Sequence, residues 1–272
     1  VSTIREAINA AVDALCAAGV ENPRLDAEIL LSEAMGCERA RLVVDSEAGV
    51  PAAAVRRFGE MVRRRLRREP VAYILGRKGF RRIELAVDPR VLVPRPETEL
   101  LVELALELRP ARVLDVGTGS GAVALAIAEE LRGCGVTATD TSAAALEVAR
   151  ANAERLGLVA RVDLIEGMLP PDRLRFDLLL ANLPYVSEAE WPGLEPEVTE
   201  WEPRDALLAG PDGLDAIRSL VAVARGIAPV VALEVGAGQA PAVADMLLEA
   251  GFAEVETRAD LAGIPRIVKG AQ

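Results

Sequence analysis

The stretch 111–131, ARVLDVGTGSGAVALAIAEEL, constrains the fold more than any other part of the chain. A short apolar run, 113–116, stops in three alternating glycines, Gly117, Gly119 and Gly121, and gives way to an alanine- and leucine-rich run that suits a helix. That is a strand, a turn and a helix. Glycines serve such a turn because the chain must reverse with positive φ angles, and because main-chain N–H groups can then lie against a bulky ligand where a Cβ would collide. The loop reads as a cradle.

The glycine spacing narrows what the cradle holds. A dinucleotide loop runs GxGxxG, whereas this one runs GxGxG with Asp115 just before it, which argues against a nicotinamide dinucleotide. The next apolar strand, 135–139, ends at Asp140, where a carboxylate can accept hydrogen bonds from both hydroxyls of a ribose. A glycine turn alone also suits simple helix-on-strand packing; together with the acid at the following strand end it defines a nucleoside site. The pattern resembles the S-adenosylmethionine site of class I methyltransferases, in which the glycine loop faces the methionine part and the acid holds the ribose.

Composition sets outer limits. The chain has 272 residues, is 51% apolar and carries a net charge of −11, with an isoelectric point near 4.8. So acidic a chain is not expected to hold nucleic acid stably, because nonspecific affinity comes from neutralising phosphates. Cys16, Cys37 and Cys134 are odd in number and widely spaced in apolar surroundings, which suits reduced, buried thiols and a cytoplasmic protein. There is no histidine, so the commonest general base and metal ligand are both missing, and no metal site is expected. No long apolar run or basic leader marks a membrane span or export. With no dimer seam evident, a monomer is expected.

Residues 1–69 read as a helical module. Ser2 or Thr3 caps a first helix that Gly19 stops, Pro23 and Asp26 open a second that ends before Gly36, a third holds 40–44, and Pro51 begins a fourth reaching about Arg68. The fourth carries Arg56, Arg57, Arg63, Arg64, Arg65, Arg67 and Arg68. Such a run serves either as a docking face for an acidic protein or ribosomal RNA, or as a solvated face paired with local glutamates. Residues 70–93 read as a β-hairpin linker with extended runs at 73–75, 80–87 and 91–93. The turn PRPETE, 94–99, follows, and Glu97 or Thr98 starts a helix over 100–108. From there strand and helix alternate through residue 272. The expected fold is α/β: a Rossmann-like, mostly parallel seven-stranded sheet with the helical module before it, and ligands outside the carboxyl ends of the strands.

A second constellation, Asn182-Leu183-Pro184-Tyr185, follows the strand at 176–180. Asparagine offers one acceptor and one donor, and Pro184 confines Leu183 to an extended conformation, so the turn forms a fork for an amide or amine; an ordinary strand-to-loop turn has the same composition. The tetrapeptide is similar to the NPPY signature of methyltransferases acting on planar nitrogens. Together with YILG at 73–76, PRPETE at 94–99, DVGTGSGA at 115–122, Asp140, Glu202-Pro203, GPDGLD at 210–215, LEVGAGQ at 233–239, Asp260-Leu261 and Arg266, it resembles the HemK/PrmC family of protein-glutamine methyltransferases over nearly the whole chain.

The resemblance implies methyl transfer from S-adenosylmethionine, leaving S-adenosylhomocysteine, to the glutamine amide nitrogen in the Gly-Gly-Gln loop of class I peptide chain release factors. By carry-over, Gly117, Thr118, Gly119, Ser120, Gly121, Asp140, Met168 and Asn182 bind the cofactor. Asn182, Leu183, Pro184 and Tyr185 hold and activate the glutamine amide, and the amino-terminal helices grip the release factor. Two positions depart from the family. Leu183 replaces the signature's first proline, at a preorganisation cost of about 0.4–1 kcal/mol, and Met168 stands where an aromatic residue is usual. Both leave a working site as the expectation. The rival readings are a ribosomal-protein glutamine, adenine N6 of DNA, and a homologue that binds without turnover.

Overall fold

The computed structural model describes residues 2–171 and 175–272; Val1, at the head of the expected helical module, lies outside them. In chain order come helices α1 (Ile4–Ala17), α2 (Pro23–Met35), α3 (Arg39–Val44), α4 (Ala52–Leu66) and α5 (Val71–Leu75), and a hairpin of β1 (Arg77–Phe80) and β2 (Ile83–Ala86). After them come α6 (Glu99–Leu108), β3 (Arg112–Val116), α7 (Ala122–Glu130), β4 (Gly135–Asp140), α8 (Ala143–Leu156), β5 (Val162–Glu166) and β6 (Leu178–Ala181). The chain closes with α9 (Pro196–Thr199), α10 (Asp215–Ala224), β7 (Val230–Glu234), α11 (Ala240–Glu249), β8 (Glu254–Ala259) and β9 (Pro265–Ala271). Two compact units result: Val1–Gly76 with Pro196–Trp201, and Arg77–Glu195 with Glu202–Gln272.

The first unit is helical because its punctuation is local. Thr3 closes a capping box with Glu6 at the start of α1, and Gly36 ends α2 in the left-handed region at φ 63°. Ile4, Ile8 and Leu15 of α1 pack with Leu30 and Leu31 of α2 and Phe58 of α4. The arginines of α4 divide. Arg65 is buried and pairs with Asp26 and with Glu197 of α9, both at 2.6 Å, while Arg68 pairs with Glu197 and Arg57 with Glu33. Burial works against the Glu197 charge, but hydrogen bonds from Arg68 and Arg65 outweigh it and hold the carboxyl below its ordinary range. Arg56, Arg63 and Arg67 are exposed.

Two expectations fail in this unit. Residues 73–75 form the end of α5, not a strand: Pro70 precedes the helix in an extended conformation, Gly76 ends it at φ 71°, and the Arg64 guanidinium binds the Tyr73 and Ile74 carbonyls. Tertiary contacts have overridden the β-branched composition. Cys16 is exposed, because it falls on the outer face of α1; only Cys134 is buried.

The second unit is the expected sheet. Its seven strands lie in the order β5-β4-β3-β6-β7-β9-β8, all parallel except β9, which runs antiparallel to both neighbours. Strand order reverses between β3 and β6, and the loops that leave these two strands flank the resulting crevice. Leu114, Leu179 and Val231 point to one face and pack on Ile217 and Leu220 of α10 and Val243 and Leu247 of α11. Asp115, of opposite parity, is buried on the other face. The hairpin is shorter than expected. The single run at 80–87 is broken by a two-residue turn, Arg81-Arg82, with Phe80 opposite Ile83, and 91–93 is not a strand. Arg81 accepts φ 50° there because its N–H donates to Glu99 and its guanidinium pairs with Glu130 at 2.6 Å.

Candidate active site

The glycine loop between β3 and α7 takes the conformation its composition requires. Gly117, Gly119 and Gly121 have φ of 76°, 56° and 84°. A Cβ on Gly121 would strike Leu125 at 2.8 Å, while one on Gly119 would meet nothing within 4 Å. Gly121 therefore lets α7 pack, and Gly119 opens toward the crevice. The Gly117 and Thr118 N–H groups both donate to the Thr139 carbonyl at 2.9 Å, which ties the loop to β4. Beneath it the buried Asp115 carboxyl accepts from Thr118 Oγ1 at 2.7 Å. Burial pushes its pKa up to about 7, against the Thr118 hydrogen bond and with a smaller contribution from Asp140. Asn152 of α8, fully buried, supports the same loop by donating to the Ser120 carbonyl at 2.9 Å.

Asp140 does more than the sequence suggests. Its Oδ2 accepts from the Gly119 N–H and its Oδ1 from the Ser142 N–H, both at 2.9 Å, so the carboxylate fastens the loop while each oxygen keeps lone-pair capacity for a hydroxyl. Met168, half-buried, is held through its carbonyl by Thr139 Oγ1 at 2.9 Å. Its thioether is the sort of polarisable surface that can cover a flat ring.

Across the crevice, Asn182 leaves the end of β6. Its Nδ2 donates to Thr98 Oγ1 at 3.0 Å, which fixes the carboxamide so that Oδ1 is the atom left for another partner. Leu183 is 9% exposed and belongs to the core beside α10 and α11. Its Cδ2 lies 3.0 Å, and the Asn182 carbonyl 3.5 Å, from where a Gly117 Cβ would be. The two turns are thus in contact. They share a cavity of about 420 Å³, walled on one side by Gly117, Thr118, Gly119, Ser120, Asp140 and Met168 and on the other by Asn182, Leu183 and Pro184. That size suits a small-molecule site. Gly121 and Tyr185 stand behind the walls, among the described residues lining neither side.

Tyr185 is instead clamped from behind. Gln239 Nε2 donates to the Tyr185 carbonyl at 2.8 Å, and the Gly236 N–H donates to Gln239 Oε1 at 2.9 Å. Gly213, at φ 75°, is needed because a Cβ there would lie 2.3 Å from that carbonyl. Burial, then the nearby Glu234 charge, push the Tyr185 hydroxyl up to about 12, so it stays protonated. Thr98, Gln239 and Gly213 fall in segments already singled out, PRPETE, LEVGAGQ and GPDGLD, but which residue meets which is set by sheet register. Glu202 joins them: buried, it accepts from the Val93 N–H at 3.2 Å and pairs with Arg95 on the cavity wall. Among the described residues no cluster of His, Cys, Asp and Glu can hold a metal ion, and no helix is long and apolar enough to cross a membrane.

Comparison with known proteins gives the chain its relatives. Residues 6–76 match the PrmC N-terminal domain and residues 113–201 a methyltransferase domain. The chain is 43% identical to the release factor glutamine methyltransferase of Moorella thermoacetica, over 97% of this chain and 96% of that protein. It is 42% identical to the protein of the same name from Geobacter sulfurreducens, over 98% and 96%. Among solved structures, a methyltransferase from Pyrococcus furiosus superposes with TM-score 0.52 at 21% identity, covering 69% of this chain and 87% of that one. The hMettl16 catalytic domain in complex with MAT2A 3'UTR hairpin 1 superposes with TM-score 0.57 at 15% identity, covering 74% and 78%. At these identities the structural likeness is one of fold, the class I methyltransferase fold. Identity at this level over nearly the full length settles the lineage: the chain belongs to the release factor glutamine methyltransferase family.

Proposed function

We propose that the protein transfers a methyl group from S-adenosylmethionine to the side-chain nitrogen of the glutamine in the Gly-Gly-Gln loop of class I peptide chain release factors. The observation that carries the reading is the orientation of Asn182. Its carboxamide stands on the shared cavity with Nδ2 committed to Thr98 and Oδ1 free to accept. The glycine loop fits the cofactor: it offers open space at Gly119 and an acid, Asp140, already beside that space. Gly117, Thr118, Gly119 and Ser120 would face the methionine part, Asp140 the ribose and Met168 the adenine. When bound, S-adenosylmethionine supplies an electrophilic sulfonium methyl.

The chain's own task is to make a poor nucleophile attack. A carboxamide nitrogen holds its lone pair in conjugation with the carbonyl. Asn182 Oδ1 and the Leu183 carbonyl accept the two amide hydrogens, turn the lone pair toward the cofactor side of the cavity, and stabilise the positive charge that builds on nitrogen. Orientation of this kind is worth roughly 7–11 kcal/mol. Tyr185 backs the wall behind the amide and transfers no proton; the proton that the amide nitrogen loses on methylation passes to water. The helical module, expected over 1–69, supplies the grip on the release factor, so that binding energy gained away from the reacting atoms offsets ordering of the loop.

The test is mass spectrometry of a purified release factor after incubation with the protein and S-adenosylmethionine. One added methyl on the loop glutamine is the expected result. Methyl on a ribosomal protein or on DNA in its place, or cofactor binding with no transfer to any of the three, overturns the reading.

A further inference from the structure

S-adenosylmethionine ends in an amino acid, so its methionine part carries a carboxylate that needs a partner once it leaves water. The glycine loop has little to offer it. Of the five N–H groups from Gly117 to Gly121, four are already bonded within the protein: Gly117 and Thr118 donate to the Thr139 carbonyl, Gly119 to Asp140 and Gly121 to the Thr118 carbonyl. The charged residues on the cavity wall are Arg90, Arg95, Asp115, Asp140 and Asp205. Acids cannot pair with a carboxylate, which leaves the two arginines. Arg90 is engaged outside the cavity, with Nε and Nη2 donating to Asp88 and Nη1 to Glu147 at 3.0 Å. Arg95 is not: its Nη2 donates to Glu202 Oε1, and among the described residues neither Nε nor Nη1 has a protein partner.

The turn that carries Arg95 also reaches the right end of the cavity. The Arg95 carbonyl accepts from the Thr98 N–H at 3.2 Å, Thr98 Oγ1 holds Asn182 Nδ2 at 3.0 Å, and the Asn182 carbonyl lies 3.5 Å from where a Gly117 Cβ would be. Asp140 and Met168, given above to the ribose and the adenine, follow β4 and β5, which lie on the far side of β3 from β6. A cofactor with its adenosine over β4 and β5 therefore extends its methionine part across β3 toward β6, the corner that the Arg95 turn borders.

We infer that Arg95, held in place by Glu202, binds the carboxylate of S-adenosylmethionine through its uncommitted N–H groups. The inference rests on the cofactor proposed above. Glu202 is built as an anchor: its side chain is 1% exposed, and while one oxygen takes Arg95 the other accepts from the Val93 N–H at 3.2 Å. The Arg95 side chain is 34% exposed, so it is fixed at one edge and open at the other. A guanidinium is planar, so holding one edge keeps its remaining donors in one plane, as recognition of a carboxylate requires. The side-chain freedom that binding would otherwise remove is already restricted in the fold.

The experiment is calorimetric titration of the full chain with S-adenosylhomocysteine and with its decarboxylated form, which keeps the adenosine, sulfur and amine and lacks only the carboxylate. The wild type is expected to bind the decarboxylated ligand about ten- to a hundred-fold more weakly, the range set by a hydrogen bond to a charged group. Arg95→Gln should lose that factor on S-adenosylhomocysteine and bind the decarboxylated ligand within about two-fold of the wild type, so that the preference disappears. Arg95→Lys, which keeps a point charge and loses the plane, should recover part of it. If Arg95→Gln does not fold because it leaves Glu202 buried without its cation, Arg95→Gln combined with Glu202→Gln removes both charges and is titrated in the same way. A preference that survives in the variant, equal weakening of both ligands, or a wild type that binds the two alike overturns the inference while the proposed function stands. So does an Arg95→Gln protein that keeps its affinity for S-adenosylhomocysteine but has a raised KM for the release factor, which would give the arginine to the substrate. A wild type that binds neither ligand overturns the cofactor assignment, and this inference with it.

Discussion

At the scale of single residues, Asn182 Nδ2 is committed to Thr98, and the proposed reaction uses the remaining Oδ1 for the substrate amide. Asn182→Ala should therefore lower kcat by about 10²–10³-fold, the scale of losing one positioned group at a charge-developing centre. Calorimetric affinity for S-adenosylmethionine should stay within a few-fold; equal loss of both would make Asn182 a cofactor or folding residue. Leu183 pulls in two directions. Proline would restrict the turn, by about 0.4–1 kcal/mol, but would remove a side chain packed against Gly117. Leu183→Pro is expected to raise kcat about two- to five-fold while lowering the melting temperature, measured by transfer assay and thermal scan. The residues of the glycine loop and the Asn182 turn could be read from the sequence because each announces itself by local chemistry: glycines that must turn, an acid at a strand end, a proline that fixes its neighbour. Thr98 announces nothing of the kind, since its meeting with Asn182 joins segments 84 residues apart in the chain.

At the scale of elements, the same contrast decides which expectations held. The strands expected at 113–116, 135–139 and 176–180 and the helix expected at 100–108 follow from periodicity and punctuation and lie within a residue or two of those bounds. Residues 71–75 were not legible, because β-branched and aromatic composition there competes with a helix that Arg64 secures from α4. Nor was the Arg81-Arg82 turn, since it uses neither glycine nor asparagine and is held by Glu99 and Glu130. The loop before α10 offers an element-level test. Gly213 has φ 75° and sits against the Tyr185 carbonyl that Gln239 also holds. Gly213→Ala should displace the Tyr185 turn, lowering kcat with little change in cofactor affinity. It should also destabilise the fold by about 1–3 kcal/mol in a denaturant titration.

At the scale of the whole molecule, two buried acids, Asp115 and Glu234, both have carboxyls raised to about 7 by burial. A raised acid favours the protonated form in the fold. Its stabilising contribution is complete below the ordinary carboxylate range and is lost as pH rises through about 7. Chemical unfolding of the ligand-free protein should accordingly show stability falling between about pH 4 and 7 and level above that, on the order of 3 kcal/mol per group. Asp115→Asn with Glu234→Gln should level that slope, whereas a slope unchanged in the double variant would trace it to the net charge of −11 instead.

One feature of the helical unit bears on how the protein can be taken apart. Six residues from far down the chain, Pro196–Trp201, belong to it. They bring Glu197 to the buried Arg65 and to Arg68, and the Trp201 indole N–H to the Arg67 carbonyl at 3.1 Å. A fragment cut after residue 76 would leave two guanidinium groups without that anion and strip one carbonyl of its donor. The amino-terminal helices are therefore not a detachable cassette, and a chimaera that grafts them from a relative must carry the distant hexapeptide along with them.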